Sequence, residues 1–148
     1  MLRGIATVNL YVEDPDATAA WYAEVLGIEP YFHTAGPDGR NAYVEFRIGD
    51  LEQELGFVDR RFAPAGMAAP GDDAPNGGGA ATAGPVIHWY VDDLAGSLAR
   101  LLELGATPLD PITERGPGFV TASVVDPFGN ALGIMTNVHY LEQVGARS

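Results

Sequence analysis

The chain repeats itself, and that limits what it can fold into. "VNLYVEDPDATAAWYAEVLGIEP", from Val8, matches "IHWYVDDLAGSLARLLELGATP", from Ile87. Tyr11-Val12 lies over Tyr90-Val91, Asp14 over Asp93, Leu26-Gly27 over Leu104-Gly105, and Pro30 over Pro108. The spacing is far longer than the repeat of a solenoid. Two copies in 148 residues therefore read as two homologous modules.

Each copy opens with an alternating strand. Val8, Leu10 and Val12 share one face, and Thr7, Asn9 and Tyr11 the other; Ile87, Trp89 and Val91 oppose Val86, His88 and Tyr90. An Asp stands at a helix N-cap position, Asp14 or Asp93. The helix runs over Pro15–Leu26 or Leu94–Leu104 and stops at Gly27 or Gly105. Pro15 suits the first helical position, where its missing N–H costs nothing. Three strands are expected after each helix: Glu29–Thr34, Asn41–Ile48 and Glu52–Asp59, then Thr107–Thr113, Gly118–Val125 and Ala131–Asn137.

The fold class is therefore α+β, two βαβββ modules, each with a half-polar sheet face that is either solvated or, where the two sheets curve towards each other, a pocket. The boundaries read 1–60 for the first module, 61–84 for a Gly/Ala/Pro-rich linker, 85–138 for the second, and 139–148 for a tail or short helix. The linker has no periodicity and reads as a lid or as plain disorder. Each helix needs an apolar sheet face to cover, here Val8, Leu10, Val44, Phe46, Leu55 and Phe57. Trp21, Tyr22 and Trp89 are assigned to the core. The opposite face is polar and aromatic: Asn9, Tyr11, Tyr43, Glu45, Arg47, Glu54, His88 and Tyr90.

"VVDPFGNALGIM", Val124 to Met135, is a hairpin, its turn marked by Pro and Gly-Asn. Gly133 stands inside its second strand. Glycine there marks a bulge or the close approach of another group.

The net charge is −12, and all eight basic residues are arginine. That charge repels phosphate backbones, so no nucleic acid partner is expected. No apolar run approaches the ~20 residues of a membrane span. The N-terminus enters a strand pattern directly and reads as no signal peptide. The absence of cysteine excludes disulfides and thiolate metal sites and fits a cytoplasmic protein.

Paired βαβββ modules, the "YVxD…LG" opening of each and "DPFGN" in the last hairpin together resemble the vicinal oxygen chelate superfamily, which includes glyoxalase I, bleomycin-resistance proteins and extradiol dioxygenases. The resemblance covers nearly the whole chain outside the linker, and "ELGFVDRRFAP" and "FGNALGIM" look most like uncharacterised glyoxalase-like bacterial members. It implies the family's fold, with curved mixed sheets enclosing a pocket, a homodimer and a small-molecule ligand. Its metal-dependent enzymes hold Zn, Ni, Fe or Mn with one residue from each of four strands. Carried over, those positions fall on Thr7, Val86, Glu54 and Gly133. Only Glu54 keeps a usable donor, so no metal cofactor is expected, and Gly133 stands where a ligand carboxylate would.

The leading expectation is a small organic molecule bound without metal, as in drug-sequestering relatives. Its candidate contacts are Asn9, Tyr11, Tyr43, Arg47, His88, Tyr90, Met135 and Asn137. The tyrosines would wall a slot for a planar or cationic molecule. The alternative is a metal-dependent lyase, isomerase or dioxygenase, with catalytic His88 and Glu54 holding a displaced ion beside Glu45 or Glu52. A third reading is a partner domain without ligand chemistry. Glu45 and Arg47, two apart on one strand, are expected to form an ion pair. His33 and His139 read as surface or edge histidines.

Overall fold

The computed structural model describes residues 5–63 and 86–146. The proposed linker lies almost wholly outside the described residues. The chain divides into two units, 1–67 and 68–148. Each holds a four-stranded mixed sheet with a helix against it.

In the first unit the elements are β1 (Thr7–Val12), α1 (Pro15–Leu26), β2 (Phe32–Ala35), β3 (Asn41–Ile48) and β4 (Gln53–Asp59), followed by a 3-10 turn over Arg60–Phe62. The sheet order is β1-β4-β3-β2, with β1 parallel to β4 and the other pairs antiparallel. The Asp14 carboxylate accepts from the Ala17 amide at 2.9 Å and starts α1, while Gly27 at φ 67 ends it. Leucine at 55, Phe46, Phe57, Val44 and Tyr22 are buried between helix and sheet, and the Tyr22 and Phe57 rings lie 4.7 Å apart.

In the second unit they are β5 (Ile87–Tyr90), α2 (Leu94–Glu103), β6 (Thr107–Gly116), β7 (Phe119–Val125), β8 (Ala131–Asn137) and α3 (Val138–Gly145). The order is β5-β8-β7-β6, the same plan as the first. The Asp93 carboxylate caps α2 through the Gly96 amide at 2.9 Å. Leu94, Leu101, Ala122, Val124, Leu132 and Ile134 form the core under it.

The "DPFGN" turn is a structural device. Asp126, only 3% exposed, accepts from the amides of Phe128 at 2.9 Å and Asn130 at 2.8 Å, and from the Asn130 side chain. Gly129 takes φ 89, a left-handed conformation that favours glycine.

Some expectations need correction. Strand β2 begins at Phe32, not Glu29, because Pro30 just ahead of it has no amide to pair. Strand β6 runs on to Gly116 through several register shifts. Val8, Leu10, Trp21 and Trp89 are half-buried rather than core. No helix among the described residues is long and apolar enough to cross a membrane.

Candidate functional site

The side of the first sheet away from α1 carries Thr7, Asn9 and Tyr11 from β1, Glu54 and Gly56 from β4, Tyr43, Glu45 and Arg47 from β3, and Phe32 from β2. Strand alternation puts them there, and the register brings Thr7 opposite Glu54 and Glu45 opposite both Gly56 and Phe32. Glu45 is 7% exposed. Its two oxygens accept from the Tyr31 and Tyr43 hydroxyls. Glu54 accepts from the Thr7 hydroxyl at 2.6 Å and, more weakly, from Tyr31 at 3.3 Å.

The tyrosines feel those carboxylates. The hydrogen bond to Glu45 pushes Tyr31 up to about 12, and burial, aided by the same carboxylate, raises Tyr43. Both phenols are thereby held neutral, as donors.

The expected Glu45–Arg47 ion pair does not form. Glu45 is occupied by the two hydroxyls, and the Arg47 guanidinium lies over the Tyr31 ring, 4.3 Å from its centroid. Glu54 likewise takes hydroxyls, those of Thr7 and Tyr31. Tyr31, which ties Glu45 to Glu54, is not among the candidates from sequence: the expected strand Glu29–Thr34 contains it, whereas β2 starts only at Phe32 and leaves Tyr31 ahead of the alternation.

The equivalent side of the second sheet carries His88 and Tyr90 from β5, Gly133, Met135 and Asn137 from β8, and Phe119, Thr121 and Ser123 from β7. Gly133 has a local explanation. A Cβ there would lie 2.7–2.9 Å from three atoms of the His88 imidazole. The ring folds over the glycine and would have to turn aside for any side chain there. Gly56 plays the same part in the first unit, where a Cβ would collide with the side-chain amide oxygen of Asn9 and the Tyr43 ring. Asn9 faces Gly56 and His88 faces Gly133, so these pairs correspond. By the same register, the counterpart of Glu54 is Ala131 rather than Gly133.

The far end of this second face is engaged with α3. The Tyr90 ring stacks on Tyr140, with centroids 4.8 Å apart and planes 10° from parallel. Asn137 accepts from the His139 and Tyr140 amides, so it is the N-cap of α3, and its Nδ2 lies 3.8 Å from the Met135 sulfur. Burial and the neighbouring Asp92 raise the Tyr90 phenol. His88 remains exposed. On β6 and β7, Arg115 joins Thr121 at 3.0 Å to Asp110 at 2.5 Å.

A groove of about 160 Å³ lies elsewhere, between α1 and the β2–β3 edge, lined by Asp16, Ala19, Ala23, His33, Asn41 and Val44 among others. It contains none of the candidate ligand contacts. Asn41 closes it towards α1 through Asp16 at 2.7 Å.

Each unit follows the same βαβββ strand and helix order. A family model described as the glyoxalase/bleomycin resistance protein/dioxygenase superfamily matches residues 4–134. The chain belongs to this superfamily. No curated protein matches it. Among solved structures it is similar to a lactoylglutathione lyase from Agrobacterium tumefaciens, with 23% identity and a TM-score of 0.58 over 91% of this chain and 94% of the other. A glyoxalase-related enzyme from Fulvimarina pelagi gives 19% identity and 0.64, covering 92% and 89% of the two chains. A glyoxalase/bleomycin resistance protein from Streptomyces sp. CB03234 gives 21% and 0.57, covering 88% and 98%. At these identities the likeness is one of fold.

The superfamily's divalent ion can be tested against the donors present. Such an ion is held by three or four oxygen, nitrogen or sulfur ligands. The positions carried over offer one carboxylate and one hydroxyl, already bonded to each other, while Val86 and Gly133 offer no side-chain donor. Among the described residues, no three His, Asp or Glu side chains stand together as a metal centre. The residues present do not fit the ion.

Proposed function

We propose that this chain binds a small organic molecule on its open sheet faces without a divalent metal. The bonding of Glu54 supports this most directly. The one carboxylate at a metal-ligand position accepts from Thr7 and Tyr31 within its own sheet. The wall around it is aromatic and acidic. Tyr31, Phe32 and Tyr43 surround Glu45 and Glu54, which suits a planar ring bearing a cationic group. His88, Tyr90 and Met135 extend the same character to the second unit. A cytoplasmic homodimer belongs to this reading, on the strength of the resemblance and the cysteine-free composition.

The test begins with the metal content of protein purified without chelator or affinity nickel. Titrations of Zn, Ni, Mn and Fe(II) by calorimetry follow, then thermal shift with N-methylquinolinium as a planar cation. The expected results are no metal bound tighter than about millimolar (~ −4 kcal/mol) and a rise in melting temperature with the quinolinium. One tight equivalent of metal per chain, lost in His88→Ala, would overturn the proposal in favour of a metal-dependent enzyme at His88 and Glu54.

A further inference from the structure

In the second unit, α3 occupies ground that a ligand would need. Of the four candidate contacts there, three are committed to this helix or its cap: Tyr90 stacks on Tyr140, Asn137 caps the helix, and Met135 lies against Asn137. His88, the fourth, is exposed.

The helix is lightly held. It is eight residues long and has no fully buried residue. Isolated helices need about 12–15 residues to be even marginal in water. Its contacts include the Tyr90–Tyr140 stack, His139 edge-on to Phe119 at 5.0 Å, and Val138 against Gly118. Leu141 is 50% exposed and Val138 41%. Segments of this kind open with low free energy while the sheet beneath stays folded.

We propose that α3 is a built-in occupant of the second module's open face. The Tyr140 ring holds the place on Tyr90 that a planar ring of a ligand takes, and a ligand enters there only when α3 swings out. Near-parallel rings 4.8 Å apart are the geometry in which an aromatic molecule would bind Tyr90. Tyr140 thus sets both the length of the accessible face and the affinity for flat ligands. This rests on the ligand-binding reading above.

The experiment uses the full chain as wild type, Tyr140→Ala and Leu141→Ala, the last altering an exposed position of the same helix. Binding of N-methylquinolinium is followed by calorimetry, and amide hydrogen exchange is followed over 138–145. Losing the competing ring should tighten binding by about 2- to 12-fold in Tyr140→Ala, the factor one aromatic pair provides. Leu141→Ala should match wild type. Exchange over 138–145 should quicken in Tyr140→Ala while β5, β7 and β8 stay protected. Equal affinity for all three proteins, with binding present, overturns the occupant role and leaves the ligand-binding reading standing. No binding by any of them overturns the ligand-binding reading, and the occupant role falls with it. Exchange over 138–145 as slow as that of α1, in wild type and Tyr140→Ala alike, overturns the swing-out.

Discussion

The two buried glycines, Gly56 and Gly133, make a matched pair of perturbations whose costs should differ. A methyl at Gly133 meets only the ring of His88, 2.7–2.9 Å away, and that side chain is exposed. The ring can turn aside for about 0.5–1.5 kcal/mol of rotamer strain. Replacing glycine where backbone geometry permits returns about 0.4–1 kcal/mol. Gly133→Ala should therefore cost about 1 kcal/mol or less.

At Gly56 the methyl meets the Tyr43 ring and the Asn9 side chain. Tyr43 cannot turn aside without withdrawing its hydroxyl from buried Glu45. A hydrogen bond to a charged group contributes about 1.5–3 kcal/mol, and overpacking costs about 1–3. After the glycine offset, a net loss of about 2–5 kcal/mol is expected. For a chain of this size each kcal/mol moves the melting temperature by about 2–4 °C. Gly56→Ala should melt roughly 4–20 °C below wild type, and Gly133→Ala within about 4 °C of it. Circular dichroism melts and urea titrations of both variants provide the comparison. In a His88→Ala background, Gly133→Ala should become neutral or stabilising. Equal losses from the two glycines, or a Gly133→Ala loss that persists without the imidazole, would refute the reasoning.

Three other outcomes follow from the same bonds. In an alkaline titration read at the phenolate absorbance, Tyr31 and Tyr43 should ionise later than a free tyrosine, and Glu45→Gln should bring Tyr31 down from about 12 towards 10. Because the folded state raises Tyr31, its stabilisation is complete below about pH 10 and is lost as pH climbs through 12; stability of Glu45→Gln should fall less steeply over that range. Arg61 bonds to Asp59, 3% exposed, and holds that carboxyl below its usual range. Asp59 therefore stabilises the fold above the ordinary aspartate value of about 4 and loses that contribution in more acidic solution. Arg61→Met should lower the urea midpoint at neutral pH, and by less below about pH 3. Asp126→Ala removes the acceptor for two amides and the Asn130 side chain, and should cost about 2–4 kcal/mol, read as a lowered urea midpoint.

The architecture was legible because each signal in it is local and duplicated. Asp14 and Asp93 as N-caps, Pro15 at N1 and Gly27 after the helix bound α1 at Pro15–Leu26, as read from the sequence. Strands β3 and β8 also run as the alternation indicates. The site was less legible because its bonds cross between elements. Alternation put Glu45 and Arg47 on one face, but which partner each chose depends on Tyr31, reached through the β2–β3 register. The sequence likewise suggested a short terminal helix, yet only folding shows Tyr140 seated on Tyr90. Gly133 drew attention as a missing ligand, while the reason for glycine there is the imidazole one strand away. No pattern within a strand shows that.

The outer strand of the second sheet has a further consequence. Register shifts break β6 so that no more than two consecutive residues pair in step with β7, and Pro108 and Pro111 present no amide. A flat, regular edge would be a template on which another chain could lay a strand. This one is bent and partly donorless, so growth of the sheet by strand addition stops at β6. Crowding or partial unfolding should therefore not turn this edge into the seed of a cross-β aggregate.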